Sequence, residues 1–171
     1  MNPHFFEHLR NANRKRDKEW DPSRMITQQF RHLELIGEAG EFCNTLKKVY
    51  REDLGLRGSR VTLDEIGSEL ADVVICVDLF NMHLDPTYAH QFCMQMVSDV
   101  YAYGIEIAGY VASLTSLHSP ADAVVRLNLT KLIVCNLGMI AATMGIDPEL
   151  AVIRKFNATS EKQGLSTRLL G

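Results

Sequence analysis

Apolar residues recur at helical spacing along most of the chain. In residues 26–51 one set is separated by four, three, four and three positions: Leu35, Ala39, Phe42, Leu46 and Val49. Residues three and four apart lie on one side of an α-helix, so this set predicts a helix with one buried face. Gly55 and Gly58 follow it as helix breakers and predict that the helix ends near Arg51.

A second helix is predicted to begin at Thr62. Thr62 and Glu65 stand three residues apart, which is the spacing of a capping box, and a long apolar run follows them. Pro86 cannot continue a helix, so the helix is expected to stop near Leu84.

The rest of the chain predicts three more helices. The same periodicity covers residues 87–117, with a bend expected near Gly104, and residues 120–144. The Asp-Pro pair at 147–148 predicts the start of a last helix, with aspartate as N-cap and proline at the first helical position. The polar tail, residues 160–171, is expected to be coil.

These elements predict an all-α helical bundle that forms a single domain over residues 1–171. No alternating run bounded by turn residues indicates a strand. "HLDPTYA" at 83–89 is echoed by "GIDPELA" at 145–151, and each follows an apolar helix that contains a cysteine. The segment between the two echoes, about 87–145, is therefore either a degenerate second copy of a helix pair or a chance resemblance between amphipathic helices.

Charge and composition exclude several classes of protein. A net charge of −3 is not typical of a protein that mainly neutralises nucleic-acid backbone, so no nucleic acid is expected as a partner. The basic cluster at 14–16 is interpreted as solvated surface. The first residues lack the pattern of a secretory signal, and no unbroken apolar run is long enough for a membrane helix. Together with four widely spaced cysteines interpreted as reduced, buried thiols, this predicts a cytoplasmic protein without a membrane partner.

Two acidic stripes accompany the apolar faces of the first two predicted helices. Their members repeat one spacing of four and then three residues: Glu34, Glu38 and Glu41, then Glu65, Glu69 and Asp72. Either stripe alone is typical of a solvated face. Asp72, however, lies inside "LADVVIC", where an isolated buried carboxylate would be unfavourable. If the two helices pack together, the carboxylates converge and favour a hard cation between them, Mg²⁺ or else Mn²⁺.

Basic residues stand near these acids. Lys48 and Arg51 continue from the acidic helix, and Lys155 begins the segment "KFNATSEKQGL". Each alone is typical of surface charge. Next to a cation held by carboxylates, however, positive side chains favour binding of a polyphosphate, because Mg²⁺ sites are commonly completed by substrate phosphate.

Three motifs resemble one enzyme family. "GEAGE", "SELADVVICVDLF" and "KFNATSEKQGL" occur in this order, over roughly 10–86 and 145–168, and resemble the MazG-like all-α nucleoside triphosphate pyrophosphohydrolases. That family includes dimeric dUTPases and dCTP pyrophosphatases. Its pattern, ExxE followed by ExxD, is met by Glu38–Glu41 and Glu69–Asp72.

The resemblance implies that these four acids bind Mg²⁺ and that a metal-activated water cleaves the α–β linkage of a nucleoside triphosphate. The products would be a nucleoside monophosphate and pyrophosphate, in nucleotide pool clean-up or balancing. The resemblance also implies phosphate or sugar contacts from Lys155 and Asn157. For Trp20 it suggests base stacking, with simple core packing as the alternative. Glu34 and Glu65 lie outside the pattern and either support the ligands or face solvent.

Single-unit members of the family lack the segment 87–145. Its helices could replace within one chain the packing that a dimer partner supplies elsewhere, so a homodimer and intramolecular pairing are both open. Two other functions remain as alternatives. One is an enzyme similar to phosphoribosyl-ATP pyrophosphatase, and the other is a non-enzymatic helical protein that binds metal or regulates a partner.

Overall fold

The computed structural model describes residue 2 and residues 4–82, 90–117 and 119–171. Within these ranges the chain forms α-helices and no strand, so the prediction of an all-α fold is confirmed. The helices are α1 (Phe5–Trp20), α2 (Gln28–Asp53), α3 (Leu63–Met82), α4 (Val100–Leu114), α5 (Ala123–Met144) and α6 (Pro148–Lys162). One 3-10 turn, Pro120–Asp122, leads into α5.

Helix α3 is the centre of the bundle. It packs against α1, α2, α5 and α6, and 13 of its 20 residues are buried. A helix that is apolar on nearly all sides requires neighbours all around it. The two helix pairs, α2 with α3 and α4 with α5, also pack on each other through α2 against α4 and α3 against α5. The carboxylates of α3 are therefore held in a rigid element.

The predicted starts of α3 and α6 are confirmed by their caps. The Thr62 backbone N–H donates to Glu65 Oε2 at 2.6 Å, and the Glu65 N–H donates to Thr62 Oγ1 at 3.2 Å. This is the capping box that the spacing of Thr62 and Glu65 predicts, so Glu65 caps the start of α3. At α6, Asp147 Oδ1 accepts from the Leu150 N–H at 3.1 Å, with Pro148 at the first helical position.

The predicted helix over 87–117 is wrong in its first part. Residues 90–99 are not helical, and α4 begins only at Val100. Asp99 Oδ1 accepts hydrogen bonds from the Tyr101 and Ala102 N–H groups, so this side chain satisfies the free donors of a helix start. Residues 83–89, which include the predicted end of α3 at Leu84, lie outside the described residues.

The bend expected near Gly104 stays a prediction, since α4 is continuous from Val100 to Leu114 and a continuous helix can still bend. The glycine allows close packing, because a Cβ there would lie 2.6 Å from Leu46 Cδ1 on α2. One smaller prediction needs correction. The tail is coil only from Gln163 onwards, because residues 160–162 still belong to α6.

Helix α1 was not predicted, although its first residues are strongly apolar. Phe5, Phe6 and Leu9 are buried in the hydrophobic core, which includes side chains from all six helices. On the same face, Arg10 Nε donates to Asp78 Oδ1 at 2.9 Å, a contact that joins α1 to α3 in the protein interior. The buried carboxylate of Asp78 is thus paired with a positive charge in the protein interior.

The remaining expectations on thiols and membranes have mixed outcomes. All four cysteines are free thiols, but only Cys76 is buried, whereas Cys43, Cys93 and Cys135 are partly exposed. Helix α5 is long and apolar enough to cross a membrane by length and composition alone. In this structure it packs against α3 and α4. The expectation of no membrane partner stays a prediction.

Candidate metal centre and adjoining cavity

Three of the predicted ligands converge between α2 and α3. One carboxylate oxygen from each of Glu38, Glu41 and Glu69 lies within 4.8 Å of the other two. Glu41 is exposed, while Glu38 and Glu69 are half-buried. Turns of adjacent helices thus place acids from two distant parts of the sequence in one small volume.

Asp72, the fourth predicted ligand, lies one helical turn beyond Glu69 and forms an ion pair. Its Oδ2 is 2.5 Å from Lys155 Nζ, and the same ammonium donates to Ser68 Oγ at 3.0 Å. The side chain of Lys155 therefore reaches from α6 to α3 and contacts the acidic cluster at Asp72. The structure thus places Lys155 beside the acids, as expected from the sequence.

Burial and mutual repulsion destabilise the charged forms of these acids. Burial, together with the charges of Asp72 and Glu41, raises the pKa of Glu38 to about 7. Burial also raises the pKa values of Glu69 and Asp72, although the ammonium of Lys155 opposes both shifts. The single ammonium of Lys155 therefore does not fully offset the effect of burial and mutual repulsion on these pKa values.

The cluster has the chemistry of a site for a hard divalent cation. Its ligands are all carboxylate oxygens, which Mg²⁺ and Mn²⁺ prefer. Glu69 Oε2 is buried and accepts no hydrogen bond from the described residues, although buried carboxylate oxygens are normally satisfied. A cation among Glu38, Glu41 and Glu69, with Asp72 adjacent, would satisfy this oxygen. The residues present therefore fit a divalent cation.

The other predicted substrate residues are spread around this centre. The positive charge of Lys48 reaches Glu69 and slightly opposes the rise in the pKa of that carboxyl, which burial dominates. Arg51 is ten residues beyond Glu41, about 15 Å along the helix axis, and its Nη2 donates to the Ser59 carbonyl at 2.6 Å. Arg51 thus fixes the loop after α2 in this structure.

Asn157 is engaged with the C-terminal segment. Its Nδ2 donates to the Leu169 carbonyl at 3.0 Å, and its Oδ1 accepts from the Leu169 N–H at 2.8 Å. Leu169 itself is buried. The amide of Asn157 thus holds residues 163–171 against the bundle, a role that its sequence context did not indicate.

A cavity of about 200 Å³ adjoins the acidic cluster. Glu38 and Asp72 belong both to its wall and to the candidate metal centre. The other lining residues come from α1, α2, α3, α6 and the segment after α6: Arg16, Asp17, Trp20, Arg31, Glu34, Ile75, Cys76, Leu79, Thr159, Gln163 and Leu165.

Trp20 lies at this cavity and not in the core. Its side chain is 46% exposed, and its ring centroid is 6.0 Å from that of Phe30. The alternative that Trp20 serves only core packing is therefore wrong. An exposed indole on a cavity wall is available to stack on a planar ligand.

Arg16 is the main site residue that sequence reasoning missed. It was grouped with Lys15 as solvated surface, but only Lys15 is exposed. The Arg16 guanidinium lies 3.7 Å from the centroid of the Phe156 ring, and burial lowers its pKa to about 10. The spacing of Leu9, Ala12 and Arg16, three and then four residues, places Arg16 on the buried face of α1 and could have identified it.

The C-terminal segment completes the cavity wall. Gln163 and Leu165 line the cavity, and the Glu19 carboxylate fastens the segment to the end of α1. It accepts hydrogen bonds from the Ser166 N–H at 2.8 Å and from the Ser166 hydroxyl at 2.9 Å, and also from Thr167. The coil predicted there is thus an ordered wall.

Comparison with protein-family models, curated proteins and solved structures found no match to this chain. The similarity to MazG-like enzymes therefore rests on the three motifs quoted above, and the family assignment stays a prediction.

Proposed function

We propose that the protein hydrolyses a nucleoside or deoxynucleoside triphosphate to the monophosphate and pyrophosphate in a reaction that requires Mg²⁺. The observation that carries this proposal is the convergence of Glu38, Glu41 and Glu69, with an unsatisfied buried oxygen on Glu69, beside a cavity. Mn²⁺ is expected to substitute for Mg²⁺, because both accept all-oxygen ligands.

In this proposal Glu38, Glu41, Glu69 and Asp72 hold the cation. When bound there, a divalent cation supplies activation of a water molecule and neutralisation of the phosphate charge. The α–β linkage is then the bond cleaved, as the family resemblance implies. Holding four carboxylates on two packed helices keeps their geometry fixed before substrate arrives.

The cavity is the proposed binding site of the nucleotide base. Its volume of about 200 Å³ is below the roughly 300 Å³ at which pockets for drug-sized ligands begin. It therefore suits one ring system, with the sugar and phosphates outside. Because Glu38 and Asp72 line one side, a base in the cavity would direct its phosphates to the metal centre. Trp20 would stack on the base at the cavity edge.

Lys155 is the cation best placed to contact a phosphate. Its ammonium is already at the cluster, on Asp72 and Ser68, and Lys48 adds positive charge nearby. Contacts from Arg51 and Asn157 would require these side chains to leave Ser59 and Leu169. Their assignment to the substrate thus has less structural support.

A nucleotide panel tests the proposal. Purified protein is incubated with ribonucleoside and deoxyribonucleoside triphosphates and with phosphoribosyl-ATP, with Mg²⁺ or with EDTA, and the products are separated by anion-exchange chromatography. We expect monophosphate and pyrophosphate in equal amounts, and only with Mg²⁺. Release of orthophosphate instead would show cleavage at another linkage and would contradict the proposal.

The same panel separates the alternatives. Turnover of phosphoribosyl-ATP alone would favour that narrower enzyme class. Metal binding by a folded protein without turnover of any nucleotide would favour a metal-binding or regulatory protein. The expected homodimer and cytoplasmic location remain predictions, which sedimentation and cell fractionation would test.

A further inference from the structure

One side of the cavity carries two carboxylates on a single buried guanidinium. Arg31 is 1% exposed and donates from Nη1 to Glu34 Oε2 at 2.6 Å and from Nη2 to Asp17 Oδ1. All three residues line the cavity. The side chains of Glu34 and Asp17 are 23% and 20% exposed, so they are reachable from the cavity space.

These carboxylates present hydrogen-bond acceptors to a ligand. Within the described part of the chain, Glu34 Oε1 and Asp17 Oδ2 accept no hydrogen bond. Arg31 can only donate, so it fixes one oxygen of each carboxylate and leaves the other available. An ionised carboxylate can only accept. A ligand group that meets this wall must therefore be a donor.

We infer that the base accepted by this cavity carries an exocyclic amino group and that Glu34 recognises it. The inference rests on the proposed function and names its substrate class: nucleotides of cytosine and adenine type, against uracil and hypoxanthine. In the second group a carbonyl oxygen replaces the amino group. For a base held in the same position, that oxygen would face a carboxylate with no hydrogen between them, so both acceptors would be left without a hydrogen bond to each other.

The inference also gives Glu34 a function. It is the one member of the first acidic stripe that lies outside the predicted metal ligands, and it stands one helical turn before Glu38. A carboxylate at this position connects base recognition to the metal centre through one helix.

Two matched nucleotide pairs test the inference: dCTP against dUTP, and ATP against ITP. The members of each pair differ in an amino or a carbonyl group at one ring position and in the adjacent ring nitrogen, which accepts a hydrogen bond in cytosine and adenine and donates one in uracil and hypoxanthine. A hydrogen bond to a charged group contributes about 1.5–3 kcal/mol, which corresponds to about tenfold to 150-fold in kcat/KM. We expect the wild-type protein to prefer dCTP and ATP by at least tenfold.

The variant Glu34→Gln sharpens the test. Because Arg31 only donates, the glutamine carbonyl must face Arg31, and its amide NH₂ is then turned towards the cavity. The wall becomes a donor, so the preference should disappear or reverse towards dUTP and ITP. Glu161→Gln, at an exposed position on α6, removes the same charge elsewhere and should leave all four kcat/KM values unchanged.

Three results would overturn the inference. Equal kcat/KM values within each pair for the wild type would show that the cavity does not read this group, while the proposed function would stand. A Glu34→Gln variant that loses activity equally on all four nucleotides, with unchanged ratios, would assign Glu34 a structural role. Absence of turnover on every nucleotide would remove the proposed function and the inference with it.

Discussion

Replacement of Lys155 by methionine tests how the acidic cluster is balanced. The ammonium lies 2.5 Å from Asp72 Oδ2 and 3.0 Å from Ser68 Oγ, and its side chain is 27% exposed. It therefore occupies one of the carboxylates proposed to hold the metal, and its positive charge repels a cation. Methionine keeps an unbranched side chain of similar length and removes the charge. We expect Lys155→Met to bind Mn²⁺ more tightly than the wild type in the absence of nucleotide.

The size of the effect follows from the burial of the pair. Exposed ion pairs contribute up to about 1 kcal/mol, and two unit charges about 4 Å apart near a protein surface interact by about 4 kcal/mol. The Lys155–Asp72 pair, with side chains 27% and 17% exposed, lies between these limits. A value of about 2 kcal/mol corresponds to roughly 30-fold in the dissociation constant of Mn²⁺. Nucleotide turnover by Lys155→Met should fall, because the Lys155 ammonium is also proposed to contact a phosphate of the substrate.

Electron paramagnetic resonance of free Mn²⁺ measures the affinity directly. Wild type, Lys155→Met and the control Lys162→Met are titrated without nucleotide; Lys162 is exposed in the last turn of α6. The control should bind Mn²⁺ as the wild type does. Weaker or unchanged binding by Lys155→Met would refute the reasoning, because it would show that the metal does not compete with this ammonium.

Two further predictions concern stability. The raised pKa of Glu38, about 7 against 4.5, means that the folded state holds a proton that the unfolded state has lost. The melting temperature of the wild type in EDTA, taken relative to that of Glu38→Gln, should therefore fall as pH rises from about 4.5 to 7, and Mg²⁺ should reverse the fall above pH 7. The comparison is needed because burial lowers the pKa of His90 to about 3, which makes the stability of both proteins rise with pH in part of the same range. A pH-independent difference between the two proteins would contradict this. Gly138→Ala should lower the free energy of unfolding by about 1–3 kcal/mol in urea titrations, because its Cβ would lie 2.7 Å from the Cys93 carbonyl oxygen. The control Gly109→Ala has no atom within 4 Å of the new Cβ and should be neutral or stabilising by up to about 1 kcal/mol.

Periodicity and caps predicted most of the helical core. Leu35, Ala39, Phe42 and Leu46 are all buried, as the four-and-three spacing requires. The boundary at Thr62 was also predictable, because capping depends on residues within one turn. These features are local, so the sequence carries them directly.

Features set by tertiary contacts were not predictable in the same way. Residues 90–99 have apolar side chains at helical intervals but run as irregular chain, and the backbone of Cys93 lies against Gly138 of α5. Packing against a distant helix here overrides local preference. No local signal indicates which glycine another segment will approach.

The candidate site also has parts that local sequence patterns predict and parts that depend on tertiary contacts. The convergence of Glu38 and Glu41 with Glu69 was predicted from matched spacing on two helices, and the structure places them together. The two hydrogen bonds between the Asn157 side chain and the Leu169 backbone depend on how the C-terminal segment folds back, which the local sequence does not indicate. Arg16 is different: its place on the apolar face of α1 was readable, but its basic neighbours suggested solvated surface.

Replacement of Glu41 by glutamine tests the proposed metal centre most directly. Glu41 is exposed, and glutamate and glutamine have similar helix propensities, so the fold should be unchanged by circular dichroism. Removal of a metal contact should lower Mg²⁺-dependent pyrophosphate release by at least 100-fold, since even residues that only orient ligands contribute 10- to 100-fold. The control Glu161→Gln should be fully active. Near-normal release by Glu41→Gln would contradict the assignment of Glu41 to the metal centre.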